Sequence, residues 1–185
     1  MILGINGYVG SGKNAVADIM TEEFGFEQIA FADKLRECMY ILNPIVGHEN
    51  PQYGLLGLVY LRDVIDEYGW QGVKLSRYAE EVRRLLQTGG TEMGRETLGE
   101  NIWRDATFAV MSDTNSYVIT DCRFPNEARG ILYRGGKMWR VNRPGIKPAN
   151  NHASDTSLDD WDFDAVINND GSLTDLRESV RLLLK

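Results

Sequence analysis

The chain has 185 residues and a formal net charge of -7, from 20 Lys and Arg against 27 Asp and Glu. That length suits one domain of moderate size with its own core, and the acidic balance argues against a protein that grips nucleic-acid backbones along a broad basic face. The two cysteines, Cys38 and Cys122, form no CxxC pair and point to a reducing compartment; no basic-then-apolar leader opens the sequence, and the longest apolar run, around Leu55 to Leu61, is too short to span a membrane.

The opening MILGIN is an apolar run that predicts a buried strand. Asn14 to Glu23 reads as a helix with Val16, Ile19 and Met20 on one stripe, stopped by Gly25. Phe26 to Ala32 reads as a second strand, and DKLRECMYIL as a helix with Asp33 near its start. Asn43 to Tyr53, with its prolines and amides, reads as a loop. Helices are expected over residues 57 to 68, Ser76 to Gln87 and Asn101 to Met111, with breaks at Gly69 to Gly72 and at GGTEMGRETLG. Ser116 to Asp121 and Gly136 to Asn142 read as strands on either side of a short helix, Glu127 to Tyr133. RPGIKPANNHASDTSLDDWDFD is a long polar loop, its DTSLDDWDFD part a solvated surface pinned by Trp161 and Phe163. Asp164 to Asp170 predicts a last strand, and Ser172 to Leu184 a closing helix capped by Ser172.

Strands toward both ends with helices between predict an α/β fold: a parallel sheet of about five strands, covered on both faces. The expected layout is a single domain. Residues 1–32 and 113–185 form its core, with a lid near 143–162, and 33–112 form a helical insertion over the carboxyl end of the sheet, where ligands bind in such folds.

GYVGSGK, Gly7 to Lys13, stands between the first strand and the first helix, the context that a phosphate-binding loop demands. Gly7, Gly10 and Gly12 let backbone N–H groups turn inward around Ser11, Lys13 reaches terminal phosphates, and the helix start at Asn14 and Ala15 adds a favourable field. A bare strand-to-helix turn is the bland alternative, and the GK ending with its flanks argues against it. The eighth position holds Asn14 where a hydroxyl residue usually binds Mg2+. Direct metal contact, contact through water and a helix-capping role are the three readings of that residue.

TGGTEMGR joins a flexible backbone, the Thr91 hydroxyl and Arg95, which suits a second phosphate pocket as well as it suits a plain helix break. Of Arg83 and Arg84, at most one faces a cleft. TDCRFPNE places Asp121 at the end of a buried strand and Arg123 just beyond: an acid suited to a magnesium-bound water and an arginine suited to an anion, or a turn cap and a local ion pair. Asp33 is either a contact for a substrate hydroxyl, or its base, or a helix cap. Arg143 and Lys147 flank the polar loop, which can close as a lid with His152 as a further member.

GYVGSGKNAVA, FADKLRE, VRRLLQTGGTEMGRETLGENIW, VITDCRFPNEARGI, KMWRVNRPG and VINNDGSLTDL, in this order, resemble the deoxynucleoside monophosphate kinases of tailed bacteriophages and, more distantly, dephospho-coenzyme A kinase. The resemblance spans nearly the whole chain. It implies the P-loop NTPase three-layer fold and transfer of the ATP γ-phosphate to a deoxynucleoside 5′-monophosphate, with Mg2+; the alternatives are a kinase of another small acceptor such as dephospho-coenzyme A and a non-catalytic ATP-binding accessory protein. On it, Lys13, Asp33 and Arg123 are catalytic. ATP meets Gly7, Gly10, Ser11, Gly12, Lys13, Asn14, Ala15, Arg143, Asn169 and Gly171. The acceptor meets Asp33, Lys34, Arg84, Thr91, Arg95, Asp121 and Arg123, and Asn14 and Asp121 attend the metal. The expected partner is a small nucleotide, with neither nucleic acid nor membrane. A homodimer is an ordinary expectation, and the compartment is the cytoplasm, the host's for a viral chain.

Overall fold

A computed structural model describes residues 1–49, 57–148 and 156–185. His152 and parts of the two polar loops around it and around Pro51 lie outside these residues. The chain divides into two compact units, Met1–Phe31 with Thr107–Lys185, and Ala32–Ala106.

The first unit is built on five parallel strands: β1 (Ile2–Asn6), β2 (Glu27–Ile29), β5 (Tyr117–Ile119), β6 (Lys137–Asn142) and β7 (Ala165–Asn168), in the order β2-β5-β1-β6-β7. Strand side chains alternate between faces, and the sequence obeys that period. Leu3, Ile5, Val118, Trp139, Val141 and Ile167 point to one face, where α1 (Lys13–Phe24) and α7 (Leu173–Leu183) cover them with Val16, Met20, Leu176 and Val180. Ile119 and Met138 point to the other face and meet Ala128 and Ile131 of α6 (Pro125–Tyr133), with Phe31 and Phe108 set edge to face beside them. Both faces of the sheet are therefore dry, as all-parallel strands require. Ser172 caps α7 as expected, accepting from the Asp175 N–H while the Asp175 carboxylate accepts from Ser172 N–H.

From Thr156 on, the DTSLDDWDFD segment keeps Asp159, Asp160, Asp162 and Asp164 exposed while Trp161 and Phe163 pin it, as expected. Leu158 is buried with Ile119, Met138 and Ile131 on the α6 face of the sheet, Trp161 and Phe163 pack against that group, and Asp159 is hydrogen-bonded twice.

The second unit packs α2 (Ala32–Leu42), α3 (Leu61–Gly72) and α4 (Ala79–Thr88) around Leu35, Met39, Leu61, Val64 and Val82. Three sequence expectations need correction here. Within the Asn43–Tyr53 loop, Ile45–His48 is a strand, β3, paired antiparallel with β4 (Leu58–Tyr60). The helix expected from residue 57 accordingly starts only at Leu61. Alternating Ile45, Gly47 and Tyr60 carried too short a signal to outweigh the prolines. Gly69 does interrupt α3, at φ 66° and ψ 167°.

The third correction concerns GGTEMGRETL. It does not interrupt the helix but continues α4 as a ten-residue π-helix, Gly89–Leu98. Glycine and threonine are poor helix formers, which is why the segment reads as a break. Packing overrides propensity: a Cβ on Gly94 would lie 2.5 Å from the Trp103 indole nitrogen, and that nitrogen donates to Gly90 O at 2.8 Å. Trp103 stands at the start of α5 (Ile102–Phe108).

Candidate active site

β1 ends at Asn6 in the middle of the sheet, and the chain must turn sharply there to reach α1. Gly7, Gly10 and Gly12 make the turn with φ of 149°, 84° and 103°. Gly12 is the N-cap of α1, and no side chain caps that helix. The Asn14 reading as a helix cap is thereby corrected: Asn14 is the second residue inside α1, and its side chain is exposed. The helix instead presents its first amides toward the loop, an arrangement that suits an anion. Ser11 Oγ is buried with no hydrogen-bond partner among the described residues. The space above Gly12 is narrow, since a Cβ there would lie 2.3 Å from Asn169 Nδ2. These features fit a phosphate chain.

Lys13 donates from Nζ to Gly7 O at 2.6 Å and Tyr8 O at 2.9 Å, so its ammonium lies over the loop. Gly7, Tyr8, Lys13, Asp121 and Arg123 line one cleft, with Asn6 and Cys122 also in its wall. Asp121 follows β5, and its Oδ1 accepts the Phe31 N–H at 2.8 Å. Arg123 is exposed, and its backbone is tied down by the buried Glu127. That carboxylate accepts N–H bonds from Arg123 at 2.8 Å and Phe124 at 3.1 Å at the start of α6. Burial, followed by the charges of Glu127 and Asp121, pushes the Cys122 thiol well above its ordinary value and keeps it neutral.

The remaining donor-side residues surround the loop differently. Ala15 packs at the margin of the core behind it. Asn169 donates from its amide to Ser11 O at 2.9 Å and from its backbone to Asn142 O at 2.7 Å. Gly171 lies just before the Ser172 cap, and Arg143 is exposed in a turn closed by Ile146 N–H on its carbonyl.

The acceptor-side residues of the second unit hold local pairs. Asp33 accepts from Arg36 at 2.7 Å, Lys34 meets Glu37 at 2.6 Å, and Arg84 clasps Glu81 with bonds of 2.9 and 2.6 Å. Thr91 is exposed and Arg95 half-buried on the π-helix. Asn6, Tyr8, Glu127, Arg140 and Asp159 were not expected at the site; the partners that link all of them but Glu127 to it lie far off in sequence and leave no local pattern. Only the N-terminal Glu of α6, three residues after Phe124, carries a readable helix-start signal.

A parallel sheet whose first strand runs through a glycine loop and lysine into a helix defines a P-loop kinase fold. The dephospho-CoA kinase of Campylobacter jejuni shares it, with a TM-score of 0.50 and 14% identity over 99% of this chain and 94% of that one. The deoxynucleotide monophosphate kinase family profile matches residues 71–180. The chain belongs to that family and is a phosphotransferase acting on nucleotides. It is 27% identical over 174 residues to a protein of Acanthamoeba polyphaga mimivirus provisionally named a deoxynucleotide monophosphate kinase, covering 85% of this chain and 82% of that one. It is 31% identical over 109 residues to the deoxynucleotide monophosphate kinase of Enterobacteria phage T4; the match takes in 56% of this chain and 45% of the T4 protein, less than half its length. No helix among the described residues is long and apolar enough to cross a membrane.

Proposed function

We propose that the protein transfers the γ-phosphate of ATP to a deoxynucleoside 5′-monophosphate, giving the diphosphate and ADP. The observation that carries this reading is the single cleft shared by the glycine loop, Lys13, Asp121 and Arg123. Loop amides and the start of α1 hold the donor phosphates, and Lys13 swings from the loop carbonyls to the β- and γ-oxygens. Arg123, with Arg95 from the π-helix, binds the acceptor phosphate through paired N–H donors. That acceptor is already anionic, so positioning and charge stabilisation dominate over base catalysis, and Asp33 orients the nucleotide.

Mg2+, when bound, would neutralise charge on the donor phosphates, and the oxygens of Asp121 and Asn14 would attend it, directly or through water. Asn169 and Gly171 border the adenine, and Arg143 lies over the phosphates. Residues 33–112 serve as the monophosphate-binding region, and the reaction takes place in the cytoplasm; of the lid expected near 143–162, residues 149–155 lie outside the described residues and Leu158 and Asp159 are held to the first unit.

The test is a phosphoryl-transfer panel with ATP and Mg2+ against all common deoxy- and ribonucleoside monophosphates, plus dephospho-coenzyme A. ADP and a deoxynucleoside diphosphate should appear in equal amounts. Transfer to dephospho-coenzyme A alone identifies a different acceptor. ATP hydrolysis with no phosphorylated product across the panel refutes the kinase reading.

A further inference from the structure

One arginine side chain gathers three distant pieces of the first unit. Arg140, on β6, has a side chain only 12% exposed. Its Nη1 donates to Asn6 Oδ1 at 3.1 Å and Leu158 O at 3.3 Å, its Nη2 to Asp159 Oδ1 at 2.8 Å, and its Nε to Asn142 Oδ1 at 3.2 Å. The guanidinium carbon lies 5.0 Å from the centre of the Tyr8 ring and 5.7 Å from that of Phe163.

Two arms lead from this hub to the cleft. In the first, Asp159 Oδ2 accepts the Tyr8 hydroxyl at 2.8 Å, and the Tyr8 carbonyl in turn accepts Lys13 Nζ at 2.9 Å and the Ser11 N–H at 3.1 Å. In the second, Asn6 Nδ2 donates to Cys122 O at 2.9 Å, the carbonyl between Asp121 and Arg123. The buried amide is thus satisfied at both ends, one by the guanidinium and one by the turn that carries the anion-binding side chain. Burial, then the bond to Asp159, raises the Tyr8 hydroxyl above its ordinary value, so it remains a donor at neutral pH.

We infer that Arg140 is a positioning residue for phosphoryl transfer, holding the Tyr8 end of the phosphate loop and the Asp121–Arg123 turn in a fixed relation. The inference rests on the kinase reading above, because only a reaction between two bound groups needs that relation. Arginine is required for it: a planar fork with donors in several directions serves Asn6, Leu158, Asp159 and Asn142 while stacking on Tyr8, and a lysine ammonium cannot. Misplacement of reacting groups by about 1 Å is enough to cost on the order of a hundredfold in rate while each ligand still binds.

The experiment uses the full chain as Arg140→Lys, Tyr8→Phe and the double variant. Melting temperature, equilibrium binding of a non-hydrolysable ATP analogue and of the deoxynucleoside monophosphate separately, and kcat are measured for each. Arg140→Lys should stay folded at 25 °C, bind both ligands within about threefold of wild type, and lose at least about tenfold in kcat. Tyr8→Phe, which cuts one arm, should lose less, and the double variant should be no worse than Arg140→Lys, since the two residues act in series. Wild-type kcat in Arg140→Lys, or a kcat loss matched by equal loss of ligand binding, overturns the positioning role. If Arg140→Lys fails to fold, Tyr8→Phe decides alone: kcat reduced with binding retained supports the role, and unchanged kcat overturns it. Wild-type protein that phosphorylates no monophosphate overturns the kinase reading and this role with it; an active wild type with unaffected variants overturns only the role.

Discussion

The side-chain amide of Asn169 donates to the Ser11 carbonyl at 2.9 Å and closes the space over Gly12, across 158 residues of sequence. Asn169→Ala should weaken ATP binding by about 1 kcal/mol, the net worth of one such bond. Gly12→Ala should do far more harm, because φ of 103° strains any side chain and the new Cβ meets the Asn169 amide. Titration of a fluorescent ATP analogue ranks the two. Equal affinities for Gly12→Ala and wild type would remove this loop from the donor site.

Lys13 and Asn14 are neighbours with different expected roles. Lys13→Ala should fold, since the ammonium bonds the Gly7 and Tyr8 carbonyls of the loop and the side chain is not part of the apolar core, and lose at least about a hundredfold in kcat. Asn14→Ala should leave stability within about 0.5 kcal/mol of wild type, because Gly12 is the cap and alanine favours a helix interior. Its turnover should fall less than that of Lys13→Ala. Magnesium titration at fixed ATP is the check: a strong rise in the Mg2+ requirement of Asn14→Ala identifies a direct metal ligand.

Arg95→Ala and Arg123→Ala are expected to lower kcat/KM for the monophosphate by roughly 2–5 kcal/mol in transition-state terms, with ATP affinity nearly unchanged. Steady-state kinetics with each substrate varied in turn separates the two. An unaltered acceptor profile excludes the residue concerned.

Trp103→Phe deletes the bond to Gly90 O inside the π-helix and should cost roughly 1–3 kcal/mol by denaturant unfolding. Gly94→Ala should cost a comparable amount by overpacking the indole. Both variants should raise the acceptor KM through Arg95, the residue after Gly94, while leaving the ATP KM in place. A wild-type melting curve for Gly94→Ala would show that the indole gives way.

Acid should loosen the seam between α1 and α7. The Arg181 hydrogen bond, then that of Arg177, hold the Glu23 carboxyl below its ordinary value of 4.5. The folded state therefore favours the charged form. Its contribution is complete above about pH 4.5 and fades as pH falls through the lowered value. Glu23→Gln should flatten the acid limb of a plot of melting temperature against pH. An identical limb in the variant refutes the assignment.

The sheet and the glycine loop were readable because they are local signals. Short apolar runs such as MILGIN and SYVITD end at a turn residue, and GYVGSGK carries its geometry in its spacing. The π-helix was not readable: its glycines mark a break unless Trp103 is known to press against Gly94. Nor was the Arg140 hub, since Asn6 is 134 residues away and Asp159 19, and neither distance has a period. Of the three readings of Asn14, the helix cap is the one that the structure removes. Its cap preference is real, but the left-handed Gly12 already occupies the cap position.

Strand order has a consequence for how the protein is made. The phosphate loop is synthesised well before its frame is complete, because β1, which carries it, pairs with Tyr117–Ile119 on one side and Lys137–Asn142 on the other. Its braces arrive later still, Asp159 through Tyr8 and Asn169 through Ser11. A nascent chain that ends before β6 thus contains every glycine of the loop and the β5 pairing, but neither the second flanking strand nor these braces. Nucleotide capture therefore waits for β7, so translation products that stop short of it should not retain ATP, and ATP should act as a folding ligand only for chains that have reached it.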